Sequence, residues 1–530
     1  MRDIVVVHTR GAFTPRFGTL QRATSFATER LEAVASDTAF NGLGQTLVPI
    51  VHVLATICMT VSATMLFVPV LVLPIGPDPA RSAFLWGGLS SLATCFVLWA
   101  LTRRRRREFK IRDGVLLVVC SWTLIPLVGA VPLLAYFGEA ISFTDAYFEM
   151  ASALTTTGAT VLSGLDSLPP SVNLWRHLMQ WLGGMGIIVL AVAILPLLGV
   201  GGMQLFKAET PGPMKDTKLT PRVAQTAKAL WLVYAAITLC CMVSLRLAGM
   251  SWFDALCHAF SAMALGGFST HDASIGHFDS ARIEMVLTAY QLIAALSFAT
   301  HFLAWRSRNL RVYATDPEAR WVWSVLAVSC LGTGAYLSLT GTYPDLVTAL
   351  RHATFNVITI ATDCGYATQD FAAWPVFVPM WMLFLSCVTC SSGSTGGGVK
   401  MIRTLVIGRQ ASIQVRQLLH PKAMLPLRIG ARVMPDSLPA AVLGFTFLYF
   451  LVVVMLTFAL LLSGLDFVSA FSAIIACINN MGPGLGVVGP DGNYAGLTAL
   501  QSWICVVAMI CGRLELFPVL TLFTVDFWRR

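Results

Sequence analysis

The sequence predicts an all-α, polytopic membrane protein, with an N-terminal two-helix hairpin ahead of four repeats of helix, re-entrant loop and helix. Three observations predict it. The 530 residues are 56% hydrophobic and only 12% charged, with a mean hydropathy of +0.72, which excludes a soluble globular domain. The long apolar runs are separated by short basic clusters that fall on one side of a consistent topology. A short apolar stretch ending in a glycine-centred turn recurs four times between longer runs. A net charge of +9 and a pI near 9.0 do not indicate nucleic acid, because the basic residues lie between apolar spans and not on aromatic-interleaved surfaces.

The N-terminal segment, 1-46, is mixed and polar, and its apolar run Ile4 to Val7 is too short for a signal-peptide core. It is expected to start in the cytoplasm. Region 47-112 holds two apolar runs, Leu47 to Leu73 and Ser82 to Leu101, joined by the turn Pro74 to Pro79. They read as a hairpin, and Arg103 to Arg107, with Lys110 and Arg112, mark the following loop as cytoplasmic. Four units then follow, at 113-221, 222-318, 319-433 and 434-530. Their paired spans run from Gly114 to about Gly199, then Val223 to Ala248 with Ile283 to Trp305. After these come Trp321 to Leu339 with Trp374 to about Ile407, and Leu438 to Leu462 with Leu497 to about Phe523.

Charge tests the topology. Lys207, Lys215 and Lys218, then Arg306, Arg308 and Arg311, then Arg403, Arg409, Arg416, Lys422, Arg428 and Arg432, and finally Arg529 and Arg530 share the side of the arginine run. Both termini are thus expected in the cytoplasm. The opposite side collects Glu139, Asp145, Asp166, Asp254, Asp272, Asp279, Asp345, Asp363, Asp370, Asp466 and Asp491, with Arg176, Arg246, Arg282 and Arg351 as exceptions. These acids would make a cation-attracting vestibule. Short outer loops that simply lack Lys and Arg for insertion reasons explain part of the same asymmetry.

The recurring stretches are Phe143 to Thr160, Trp252 to Thr270, His352 to Thr368 and Phe467 to Gly486, centred on Gly158, Gly267, Gly365 and Gly482. Roughly ten helical residues before each glycine are too few to cross a bilayer, which takes about 20. Such a segment dips in and returns, and non-helical backbone at that depth must line water or be buried in protein. Asp145 and Asp254 lie thirteen residues before their glycines, where the other two units have His352 and Ser469, so the repeat is diverged. Inward-pointing carbonyls need backbone conformations that a Cβ opposes. Four loops around one axis would supply a carbonyl ring for a dehydrated monovalent cation. The four entering helices would add their negative C-terminal ends.

Two further features lie within apolar spans. Ser391 to Gly398, SSGSTGGG, has poor helix propensity and should unwind, across the conduction path below the loops. Close packing through small residues is the alternative. A phosphate-binding loop is disfavoured, since the run lacks the GK[ST] ending and a preceding strand. Arg513 sits near the middle of the last span and should border a water-filled interior, or pair with an acid between helices; Glu515, two residues on, is not its obvious partner. Among 13 cysteines only Cys387 and Cys390 form a CxxC, with no second pair or nearby His, and His177, His258, His301 and His352 are dispersed. No nucleophile, base and orienter set is present, so the reading is not an enzyme.

At TTTGAT, QWLGGMGIIVLAVAILPLLGVGGMQLFKAETPGP (Gln180 to Pro213), GGFSTHDASIG (Gly266 to Gly276), CGYAT, SSGSTGGGVK (Ser391 to Lys400), NNMGPGLG (Asn479 to Gly486) and GRLE (Gly512 to Glu515) the chain resembles the Trk/Ktr/HKT superfamily of potassium transporters, in its TrkH/TrkG branch. The resemblance covers nearly the whole chain. It implies a pseudo-fourfold pore passing K+ through a bacterial inner membrane, with no bound organic cofactor. Thr157-Gly158, Gly266-Gly267, Cys364-Gly365 and Met481-Gly482 would form the filter. Ser391, Ser392, Gly393, Ser394, Thr395, Gly396, Gly397 and Gly398 would be the gating loop, with Lys400 beside it and Arg513 as a positive barrier. Plant relatives that favour sodium have Ser at the first glycine, where this chain has Gly158, while Leu265 and Asp363 depart from hydroxylated filter residues. The resemblance also implies a homodimer bound to a cytosolic, nucleotide-binding TrkA-type ring, for which the basic stretch Arg403 to Arg432 is the expected docking surface. An ion-coupled symporter, K+/H+ or K+/Na+, is the alternative, although all four repeats start from the same side, where such carriers invert.

Overall fold

A computed structural model describes residues 47–103, 110–193, 220–430, 432–435 and 437–529. The N-terminal segment, most of the arginine run, Lys207, Lys215, Lys218 and Arg530 lie outside the described residues. Among those described, six helices are long and apolar enough to cross a membrane, and 28–44% of each apolar window is covered by protein. The remainder is apolar surface suited to lipid.

Helices α1 (Leu47–Leu71) and α2 (Arg81–Thr102) form the expected hairpin, held near one end by His52 stacked on Trp99 and by His52 Nδ1 at 3.2 Å from Thr102 Oγ1. α2 packs on α3, and Phe84 meets Trp175 edge to face, which fixes the hairpin to the first unit.

Each unit has the same anatomy. In the first, α3 (Ile111–Phe137) leads to a short helix α4 (Phe143–Leu154) and then α5 (Pro170–Ala193). In the second, α6 (Thr220–Ala248) leads to α7 (Trp252–Ala264), followed by α8 (Ala281–Ala294) and α9 (Phe298–Ser307). The third comprises α10 (Pro317–Leu339), α11 (Leu346–Ala361), α12 (Phe377–Val388) and α13 (Met401–Leu419). The fourth comprises α14 (Ser437–Leu462), α15 (Phe467–Asn479) and α16 (Ala499–Arg513).

Each first span packs on its own short helix, and each second span packs on the short helix of the next unit: α5 on α7, α8 on α11, α12 on α15, and α16 back on α4. The last of these pairings closes the wheel.

The short helices share their start and stop chemistry. Ser142, Ser251, Asp345 and Asp466 cap the N-termini by accepting the amides of Asp145, Asp254, Thr348 and Ser469. The third helix has 16 residues against 12, 13 and 13 for the others, and it begins at Leu346, nearly two turns before the expected His352, which is buried inside it.

Three of the second spans are interrupted, that of the third unit at the Ser391 to Gly398 run expected to unwind. α8 and α9 meet at 93°. α12 and α13 are separated by an irregular loop, and α16 ends at Arg513, followed by Glu515 and Leu516 with φ of +54° and +61°. The basic stretch after the third unit is mostly helix α13, with a two-stranded ribbon, Arg428–Ile429 against Arg432–Val433, behind it.

A four-glycine ring and the loop beneath it

Each short helix ends in the same reversal. The amides of Thr157, Gly266, Cys364 and Met481 donate to the carbonyls of Ser152, Ser261, Thr359 and Ala476 at 2.8–2.9 Å, a bond from residue six back to residue one. The residue closing each helix is left-handed without being glycine: Thr156, Leu265, Asp363 and Asn480 have φ of +55°, +52°, +62° and +56°. Glycine follows two residues later in every case, at φ +82° (Gly158), +73° (Gly267), +87° (Gly365) and +96° (Gly482).

These glycines close on one another. A Cβ at Gly158 would strike the carbonyl oxygen of Gly266, at Gly267 that of Cys364, at Gly365 that of Met481, and at Gly482 that of Thr157, the last at 2.7 Å. The four contacts run once around the wheel in chain order and return to the start. Each pair of predicted filter residues therefore touches the next, and all eight lie in one ring. A cavity of about 90 Å³ is lined by all four glycines together with Thr160, Asp272 and His271.

Side chains from the second spans lock the ring from behind. Gln180 on α5 donates to Gly266 O at 2.7 Å and accepts from Ser261 Oγ at 2.6 Å. Arg176, one turn earlier, is fully buried: its Nε donates to Glu149 at 2.7 Å, its Nη2 to Thr160 Oγ1 at 3.1 Å, and its guanidinium lies 4.2 Å from the Phe268 ring centre. Glu149 in turn accepts from Thr160 Oγ1 and from the Val161 amide at 3.0 Å. This one pair thus ties the strand after Gly158 to the strand after Gly267. In the fourth unit Tyr494 donates its hydroxyl to Gly482 O at 2.8 Å, and its amide to Thr160 O at 2.9 Å. Asn480 donates to Thr157 Oγ1 at 3.0 Å. Arg176 and Glu149 are the groups that sequence reasoning passed over. Twenty-seven residues separate them, and Arg176 looked like an exception to the charge pattern.

The loop between α12 and α13 lies against the C-terminal ends of the short helices, on the far side of the ring from the cavity. Thr395 Oγ1 donates to Met263 O at 3.1 Å, Cys390 Sγ lies 3.3 Å from Thr362 O, and a Cβ at Gly397 would strike Asn479 O. Gly398 is equally confined, its Cβ position being 2.7 Å from Ser386 O. Gly393 O accepts from the Phe298 amide and Ser391 donates to Ala295 O, so the bend between α8 and α9 is where the loop is pinned. Ser392 donates its amide to Glu318 at 2.7 Å.

Asp363 belongs here and not with the outer acids. It is fully buried, and its Oδ2 accepts from the Gly397 amide at 2.9 Å, because the left-handed turn that ends α11 directs it toward the loop. Lys400 turns back on its own loop and donates to Gly396 O. Arg513 is buried and donates to Thr395 O at 2.8 Å and to Gly183 O at 3.5 Å. Its hydrogen bonds among the described residues go to carbonyls and not to a carboxylate. Glu515 pairs instead with Arg403, whose guanidinium also stacks 4.0 Å from the Phe445 ring centre. Arg403 is therefore buried and leaves the expected docking surface, while Arg409, Arg416, Lys422 and Arg428 remain exposed.

Of the acids expected on the outer side, Asp254, Asp345 and Asp466 are occupied as helix caps or cap partners, and Arg351 pairs with Glu284 at 2.6 Å and Asp279 at 3.1 Å. Asp166 and Asp272 meet there: Asp272 accepts from the Leu165 amide and donates its own amide to Asp166 at 3.2 Å. Partial burial pushes the Asp166 carboxyl up, but the hydrogen bond from His271 and the amide of Asp272 outweigh it and hold the group below its ordinary value.

A family model described as a cation transport protein, TrkH, matches residues 80–528. The chain belongs to the TrkH family. It is 46% identical over 481 residues to a Trk system potassium uptake protein TrkH of Halomonas elongata, covering 91% of this chain and 99% of the relative. It is 43% identical to the Escherichia coli K12 protein of the same name, at 91% and 99% coverage. The crystal structure of the potassium transporter TrkH from Vibrio parahaemolyticus superposes with a TM-score of 0.84 at 41% identity, covering 91% of this chain and all of that one. The relatives are transporters, and this chain shares their multi-pass membrane architecture.

Removing Arg176 would strand Glu149 in the interior, and breaking a buried pair in this way costs about 3–5 kcal/mol. Arg176→Met should lower the thermal midpoint of the purified protein in detergent sharply, and adding Glu149→Gln should recover part of the loss. A midpoint for Arg176→Met equal to wild type would show that the pair does not hold the ring.

Proposed function

We propose that this chain is the membrane subunit of a potassium uptake system, with the four-glycine ring as its selectivity filter. The cyclic closure of Gly158, Gly267, Gly365 and Gly482 carries the reading. A site whose walls are backbone, with no room for Cβ, offers carbonyl oxygens in place of an ion's water, the coordination that suits a dehydrated monovalent cation. Each short helix directs its C-terminal end, equivalent to about half a negative charge, toward the same ring. The carbonyls of Thr157, Gly266, Cys364 and Met481 are the filter oxygens in this reading. The units 113-221, 222-318, 319-433 and 434-530 each supply one quarter.

The loop Ser391 to Gly398 is the gate, and Arg513 the fixed positive charge that holds it closed. Support comes from the hydrogen bond from Arg513 to Thr395 O and from contacts between the loop and the inner ends of three short helices. A cation leaving the filter meets a guanidinium and a close-packed backbone, so opening requires the loop to move and Arg513 to lose that bond. The chain carries out no covalent chemistry in this reading, and K+ is cargo. The remaining parts are a homodimer in a bacterial inner membrane, cytoplasmic termini, and a cytosolic nucleotide-binding ring of the TrkA type docked on the exposed cations of α13 and the ribbon.

Three measurements test this. In mixed potassium and sodium, Gly158→Ser should shift the reversal potential toward sodium, and an unshifted potential would remove Gly158 from the filter. Arg513→Ala should raise basal rubidium uptake at normal expression; unchanged or reduced uptake would sink the barrier. Reversing Arg409 and Arg416 to Glu should abolish co-purification with the regulatory ring, and retained binding would place the docking surface elsewhere.

A further inference from the structure

We propose that Asp166, His271 and His277 form a binding site for a divalent transition-metal ion of the zinc class at the outer mouth of the ring. Asp166 lies in the turn Leu165–Ser167, after the first glycine, and the histidines lie in the loop after the second, His277 within the turn Ser274–Phe278. The two imidazoles are stacked at 3.5 Å between ring centres and 3° between planes. Both present Nδ1 to the same carboxylate oxygen: His271 Nδ1 contacts Asp166 Oδ1, and His277 Nδ1 is 3.8 Å from it. One nitrogen from each ring and one carboxylate oxygen lie within 4.8 Å of one another. Bonds of about 2.0–2.2 Å to one zinc ion place such ligand atoms a few ångströms apart, so small side-chain rotations complete the set.

The surroundings are those of a metal site and not of a loose surface cluster. Asp166 Oδ2 is held by the Asp272 amide, which leaves Oδ1 facing the imidazoles. Behind His271, Nε2 is buried with no hydrogen-bond partner among the described residues, and Asp254 Oδ1 is 3.6 Å away. Asp254 is itself fixed by Thr270 Oγ1 at 2.8 Å and Ser251 Oγ at 2.7 Å. Once a metal takes Nδ1, the proton must sit on Nε2, and Asp254 is placed to accept it, the carboxylate–histidine–metal relay of zinc proteins. Two imidazoles with one carboxylate select zinc-like ions over Mg2+ or Ca2+, which take oxygen sets. Asp166 and His277 are about half exposed, so an ion can enter from outside.

His271 shares its cavity wall with the four glycines, so a bound dication would set positive charge at the entrance and lower the local concentration of monovalent cations. This consequence rests on the ring being the cation pathway; the binding itself does not. The test uses full-length protein in nanodiscs and zinc chloride. Calorimetry should give one zinc per chain, with His277→Ala and His271→Ala each weakening binding by about tenfold or more. Absent binding, or equal binding in all three proteins, overturns the site. In proteoliposomes, zinc added on the outer side should reduce rubidium uptake by the wild type and not by His277→Ala, each compared with itself without zinc. Equal inhibition of both overturns the entrance block, and flux without zinc reports separately on the pathway.

Discussion

No side chain can stand where the four units meet. Carbonyl oxygens from the neighbouring unit crowd the positions that Cβ atoms would take at 158, 267, 365 and 482, so a side chain at any of them displaces its neighbour's carbonyl. Backbone packed this tightly at membrane depth has no water to satisfy it. Much of the surrounding architecture supplies what is missing. The left-handed closures at Thr156, Leu265, Asp363 and Asn480 turn the chain at the correct residue. Gln180, Arg176, Glu149 and Tyr494 hold the returning strands. The ion pair between Arg176 and Glu149 serves geometry as much as stability, since both members belong to unit one while Arg176 also stacks on Phe268 of unit two.

The inner side follows a different rule. Three second spans break there, α8 from α9 at 93°, α12 from α13 at the loop, and α16 just after Arg513, while α5 runs on unbroken to Ala193. Each break frees backbone groups, and the structure pairs several of them with one another across units, as Ser391 with Ala295 and Phe298 with Gly393. The bend in the second unit is therefore half of the attachment of the third unit's loop. Movement of either would have to release bonds in both.

Much of this was legible in the sequence, and for a physical reason. Span length, basic clusters, recurring glycines and the small-residue run are local properties, so apolar periodicity and turn chemistry expose them. What was not legible depends on which segments meet. Nothing near Arg176 names Glu149, and nothing near Glu515 names Arg403; the first pair forms because α4 and α5 of one unit pack together, the second because units three and four meet. The start of α11 was missed because its cap, Asp345, lies a helical turn before the position the other units indicated. Asp363 was assigned to the outer side by its place in the chain, and a single left-handed residue sends it inward. Asp166 and His271 are 105 residues apart, beyond any spacing rule for metal ligands.

The loop beneath the ring touches the inner ends of the short helices of units two, three and four, and Arg513 extends the contact to Gly183 of unit one. A loop that rests on all four quarters at once leaves room for one copy. In a channel assembled from four identical chains, four copies of it would compete for a volume that admits one, and symmetry would force all four to be shortened. Joining the quarters in a single polypeptide removes that conflict, so one quarter can carry the loop while its three neighbours keep only the surfaces on which it rests.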